Sequence, residues 1–119
     1  VYYQPVGVVA ALIPWNFPIV LASRKISTAL GAGCSVICKP DVITPGSVME
    51  LMNIINDAGV PPGVVNLLSG DPAGISSQLI SSDIIKKILP SNVITINFSI
   101  LDGYPNSRQI EIIGILDED

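Results

Sequence analysis

Up to residue 88, short unbroken apolar runs alternate with segments whose apolar residues recur at helical spacing. Residues 6–13 contain no polar side chain and are framed by prolines, the pattern of a strand buried on both faces of a parallel sheet. Pro14-Trp15-Asn16-Phe17-Pro18 is a turn, and Pro18 suits the first position of a following helix, where its missing N–H is not needed. Ile19, Ala22, Ile26, Ala29 and Leu30 then repeat with a helical period, separated by Ser23, Arg24, Ser27 and Thr28, until Gly31 and Gly33 stop the helix. Residues 35–38 read as a second buried strand. Thr44 and Pro45 are the N-cap and first residue of a second helix, whose inner stripe is Val48, Leu51, Met52 and Ile55 and whose stop is Gly59. Residues 64–68 form a third strand. Asp71 caps a third helix reaching Ser81, with Ile75, Leu79 and Ile80 facing inward, and residues 84–88 begin a fourth strand.

The order β-α-β-α-β-α-β predicts an α/β fold, a partial Rossmann-like parallel sheet with right-handed crossovers. After residue 88 the period changes to two. Ile94, Ile96, Phe98 and Ile100 alternate with Thr95, Asn97 and Ser99. A turn at residues 102–107 and the isoleucines at 110, 112, 113 and 115 complete the pattern of a C-terminal β-hairpin. Uncovered, such a hairpin is an edge-pairing hazard.

Charge changes at the same place. The 119 residues carry a formal charge of −4. Before Leu89, Arg24, Lys25, Lys39, Lys86 and Lys87 balance Asp41, Glu50, Asp57, Asp71 and Asp83. After Ile88, Arg108 stands alone against Asp102, Glu111, Asp117, Glu118 and Asp119, and no alanine occurs. A boundary is therefore expected near residue 88, dividing 1–88 from an acidic, Ile-rich tail at 89–119. The acidic balance argues against nucleic-acid and anionic-membrane partners, which need clustered Lys and Arg. The absence of histidine excludes a Ser-His-Asp triad and His-ligated metals. No signal peptide or membrane span is expected, because the longest low-charge run is broken by Pro5, Pro14 and Pro18. Cys34 and Cys38 are too far apart along a strand for a disulfide and too few for zinc, so they read as buried reduced thiols of a cytoplasmic protein.

In an open α/β sheet, ligands bind beyond the carboxyl ends of the strands. Two motifs fall there. The turn at Pro14-Trp15-Asn16-Phe17-Pro18 fixes Asn16, whose amide can donate to a developing oxyanion or simply satisfy turn backbone. At Cys38-Lys39-Pro40-Asp41, Lys39 can hold a nucleotide hydroxyl or phosphate, or be merely solvated. No Gly-x-Gly-x-x-Gly or Walker loop is present.

Gln4-Pro5-Val6-Gly7-Val8-Val9 with Ile13-Pro14-Trp15-Asn16-Phe17-Pro18 resembles the NAD(P)-dependent aldehyde dehydrogenases. So do residues 32–40, Thr44-Pro45, and residues 58–66, in the same order and spacing, over residues 5–88. The flavour within the family is similar to the succinate-semialdehyde dehydrogenases. The resemblance implies oxidation of an aldehyde to a carboxylate through a Cys thioester, with hydride passing to NAD or NADP in a homo-oligomeric parent enzyme. It implies that Asn16 forms half of the oxyanion hole, that Ile13, Pro14 and Trp15 line the cofactor groove, and that Lys39, followed by Pro40, contacts the adenosine ribose. It gives Cys34 a packing role. Where NAD-preferring members carry a Glu that grips the ribose 2′-hydroxyl, Val42 stands, with Asp41 one place earlier. NADP is thereby slightly favoured, although Asp41 could substitute or the grip be weaker. The family's Phe-Thr-Gly-Ser motif, general base and nucleophilic Cys segment have no counterparts in the sequence, where Leu89-Pro90-Ser91-Asn92 follows Ile88. The expectation is a truncated aldehyde dehydrogenase, inactive alone, with under-covered apolar faces on its first two strands. The alternative is a non-catalytic nucleotide-binding or interaction fragment.

Overall fold

The computed structural model describes residues 3–89, 93–97, 99–100 and 111–115, with side chains from Gln4 to Leu89. Its elements are β1 (Tyr3–Gln4), β2 (Val8–Ile13), α1 (Pro18–Gly31), β3 (Ser35–Pro40), α2 (Pro45–Asp57), β4 (Val65–Leu67), α3 (Pro72–Ser81), β5 (Ile85–Leu89), β6 (Val93–Asn97), β7 (Ser99–Ile100) and β8 (Glu111–Ile115). The predicted alternation of strand and helix is present, and each of the three helices begins with a proline.

Four parallel strands form the main sheet in the order β4-β3-β2-β5. The chain steps from β2 to β3 to β4, then crosses back to lay β5 on the other side of β2. The order therefore reverses between β2 and β5, the kind of switch point at which open α/β sheets bind ligands beyond the carboxyl ends of the strands. Apart from this sheet, β6 pairs with β8 and β7 with β1, both antiparallel. The first pair is the predicted hairpin. Phe98, Ile110 and the turn at residues 102–107 lie outside the described residues.

Packing explains the strand composition. Val9, Ala11 and Ile13 of β2 and Val36 and Cys38 of β3 meet Leu21, Ala22, Ile26 and Ala29 of α1 and Val48 of α2. Ala10 and Ala11 are wholly buried, and their small side chains leave room for elements to close on the sheet. Each fully buried valine, Val36 and Val48, contributes about 1.5–3 kcal/mol by leaving water.

The helix-to-strand junction after α1 needs a glycine. Gly33 has φ +75°, and the amides of Gly33 and Cys34 close the helix onto the carbonyls of Leu30 and Ala29. A Cβ there would lie 2.9 Å from the Pro5 ring. The third helix has the predicted cap, with Asp71 Oδ2 accepting from Gly74 N at 2.6 Å.

Four expectations need correction. β2 begins at Val8 rather than Val6, because Gly7 turns the chain at φ +110°. Ile80 is 63% exposed, since α3 packs beside β5 and buries Leu79 alone. Ile19 is exposed as well, lying in the first turn of α1, while Leu21, Ala22, Lys25, Ile26 and Ala29 form the buried face. The first two strands are not under-covered: Val9, Ala10, Ala11, Ile13, Val36 and Cys38 are all buried. Exposed apolar residues lie instead in the turns beyond the strand ends, at Trp15, Phe17, Val42 and Ile43, and on the helices, at Ile19, Val20, Met49, Ile54 and Ile80.

Candidate functional site

Both sequence motifs lie at the carboxyl edge of the sheet, on neighbouring strands. β2 and β3 pair in register from Val8 with Ser35 to Ile13 with Pro40, so Leu12 stands beside Lys39. The turns that follow are therefore adjacent. Thr44, the residue before α2, makes no capping bond with its side chain. Its hydroxyl donates instead to the Trp15 carbonyl oxygen at 3.4 Å and ties the two turns together.

Asn16 is exposed in the first turn, and its Oδ1 accepts from the Phe17 backbone N–H at 3.1 Å. The side chain thus satisfies turn backbone, one of the two roles open to it. The same bond also fixes the amide through its oxygen, and among the described residues nothing engages the Nδ2 donors. Ile13 is buried, Pro14 half-buried and Trp15 59% exposed, so the three grade from core to open surface.

Lys39 is only 9% exposed. Its stem is packed at the strand end, and its ammonium has no hydrogen bond or ion pair among the described residues. Such an ammonium is oriented but chemically unspent, and it fits a hydroxyl or phosphate oxygen placed over the strand ends. Pro40 beside it is buried. Asp41 Oδ1 accepts from Ile43 N at 2.9 Å, an Asx turn that engages one carboxylate oxygen locally. Val42 is half exposed and presents no acceptor.

An ammonium and an amide donor thus stand beyond the carboxyl ends of two neighbouring strands. Residues 1–89 match the family model described as aldehyde dehydrogenase family. The chain belongs to the aldehyde dehydrogenase family. Among its relatives is the 4-(hydroxymethyl)benzenesulfonate dehydrogenase of Comamonas testosteroni, 48% identical over 74% of this chain and 18% of that enzyme. The NADP(+)-type succinate-semialdehyde dehydrogenase of Escherichia coli strain K12 is 41% identical over 71% of this chain and 18% of that enzyme. A solved succinate-semialdehyde dehydrogenase from Burkholderia pseudomallei superposes with a TM-score of 0.72 at 40% identity, over 73% of this chain and 18% of that one. The chain thus spans about one-fifth of the length of these family members.

The two cysteines are free and buried, as the sequence suggested. Burial pushes the Cys38 thiol up to about 12, outweighing the opposite pull of Lys25. Cys38 is therefore a thiol, not a thiolate, near neutral pH, and no nucleophile. Among the described residues there is no cluster of metal-ligating side chains and no helix long and apolar enough to cross a membrane.

One residue that the sequence reading passed over proves to be central. Lys25 of α1 is completely buried, and its Nζ donates to the Leu12 carbonyl oxygen at 2.7 Å and reaches that of Leu89 at 3.5 Å. Burial pushes its pKa down to about 8, with Cys38 pulling the other way. The signal was present in the spacing, because Leu21, Ala22, Lys25, Ile26 and Ala29 share one helical face and a lysine breaks an otherwise apolar stripe.

Proposed function

We propose that this chain supplies the cofactor side of an NAD(P)-dependent aldehyde dehydrogenase, and that its strand-end groove binds the dinucleotide. Lys39 carries the proposal: it is almost buried, held at the end of a parallel strand, and left without a partner among the described residues. Its ammonium would take the adenosine ribose, over a groove lined by Ile13, Pro14, Trp15 and Pro40. The bound cofactor would supply the hydride acceptor. The part of this chain is to orient it and to present the Asn16 Nδ2 donors to the oxygen of an aldehyde undergoing attack. A fixed amide lowers the barrier when charge grows on that oxygen, because it need not reorganise.

NADP is the favoured cofactor. Val42 offers nothing to a free 2′-hydroxyl, and Asp41 has one oxygen engaged by Ile43 N. The substrate class is a small aldehyde such as succinate semialdehyde, which the names of several relatives specify. Leu89 belongs to β5 of the main sheet, and the acidic stretch at residues 90–119 takes no part in cofactor binding. The 119-residue chain by itself does not oxidise aldehydes, since Cys34 and Cys38 are buried and Cys38 is held protonated. The test is calorimetric titration of the purified chain with NADP and with NAD, alongside an aldehyde oxidation assay. Saturable binding, tighter for NADP and without turnover, supports the proposal. Turnover by the chain alone, or preference for NAD, counts against it.

A further inference from the structure

The strand order reverses between β2 and β5, and Lys25 bonds the carboxyl ends of both strands. A lysine ammonium taken completely out of water must recover its solvation from the protein. Two of its acceptors are backbone carbonyls: that of Leu12, near the end of β2, at 2.7 Å, and that of Leu89, the last residue of β5, at 3.5 Å. Lys25 shares the buried face of α1 with Leu21, Ala22, Ile26 and Ala29. Leu12 is four residues before Asn16, and only Ile13, Pro14 and Trp15 intervene. Two prolines stiffen that turn, so its orientation follows from where β2 ends.

We propose that Lys25 is a positioning residue: by bonding the carbonyls at the ends of β2 and β5 it fixes the turn that presents Trp15 and Asn16 at the carboxyl edge of the sheet. This deepens the cofactor-side reading, on which the functional meaning of Asn16 rests, while the geometric claim stands without any nucleotide. Hydrogen bonds from a charged donor are shorter and about twice as strong as neutral ones. Losing the charge therefore alters the Leu12 peptide group, and through it the turn. The titratable group whose charge bears on Lys25 among the described residues is Cys38 on β3. The other charged groups on these elements are Lys39 of β3, Glu50 and Asp57 of α2, and Lys86 and Lys87 of β5, while β2 and β6 have no titratable side chain.

The test uses the whole chain without nucleotide. Trp15 is the lone tryptophan, so its indole N–H gives a single NMR signal from the turn itself. Lysine 13Cε signals report each ammonium directly, and Lys25 is set apart from ordinary lysines by its midpoint near 8. Between pH 6.5 and 9.5 the Trp15 indole and Ile13 amide signals should move with the same midpoint as the Lys25 Cε signal. In Lys25→Met, which keeps the length and loses the donor, that movement should vanish. Trp15 or Ile13 signals that stay fixed while Lys25 titrates overturn the proposal, and so does a transition that persists in folded Lys25→Met. If Lys25→Met does not fold, coincidence of the midpoints in the native chain decides. Because no ligand is used, failure of NADP binding leaves this result standing, and the converse also holds.

Discussion

Replacing Lys39 by methionine should separate a binding role from a structural one. Methionine matches the lysine stem in length and carries no charge. In the native chain Lys39 is 9% exposed as a residue and its ammonium has no described partner, so its removal gives up no bond among the described residues. Stability should therefore stay within about 1 kcal/mol of the native chain. A hydrogen bond to a charged group is worth about 1.5–3 kcal/mol, so NADP affinity should fall roughly ten- to 150-fold. Urea unfolding gives the first quantity and calorimetric titration of NADP the second. A Lys39→Met chain destabilised by more than about 1 kcal/mol that binds NADP as tightly as the native chain would refute the reasoning, because Lys39 would then be a packing residue.

Other predictions concern the frame that holds the site. Asp71→Ala removes the bond to Gly74 N and should cost about 1 kcal/mol in urea unfolding, while Asp71→Asn keeps most of it. Gly33→Ala forces a Cβ into the left-handed region, 2.9 Å from the Pro5 ring, and should cost about 2 kcal/mol or more; a loss below that measured for Asp71→Ala would show the junction to be relaxed. Stability should also vary with pH in a specific way. Lys25 titrates near 8 when folded against an ordinary 10.5, so the unfolded chain binds more protons between those values and stability rises with pH. Cys38, near 12 folded against 9.0, has the opposite effect above pH 9. The melting temperature should therefore climb from pH 8 to 9 and flatten beyond it, whereas a steady fall across that range would contradict the burial of Lys25.

Much of the fold was legible because its signals are local. Prolines marked two helix starts and Asp71 a third, glycines marked two helix stops, and unbroken apolar runs marked strands with both faces covered. The strand order is not local, and neither are the elements that pair over long separations, such as β1 with β7. Exposure of Ile19 and Ile80 was misjudged for a related reason. Periodicity identifies an apolar stripe, but the length of sheet beneath the helix decides how much of the stripe is covered. At the site, sequence placed Asn16 and Lys39 at strand ends. It could not show that Asn16 is fixed through its oxygen, that Lys39 is nearly buried, or that Thr44 links the two turns. Lys25 shows the limit most clearly. Its position on the apolar stripe was readable, but two of its acceptors are backbone carbonyls, which carry no sequence signal.

The central claim is that the strand-end groove of this chain receives a nicotinamide dinucleotide. Calorimetric titration of the purified 119-residue chain with NADP measures that claim most directly. Saturable binding at millimolar or tighter concentration, weakened in Lys39→Met, is the predicted result. No saturable heat in a chain shown to be folded would contradict it.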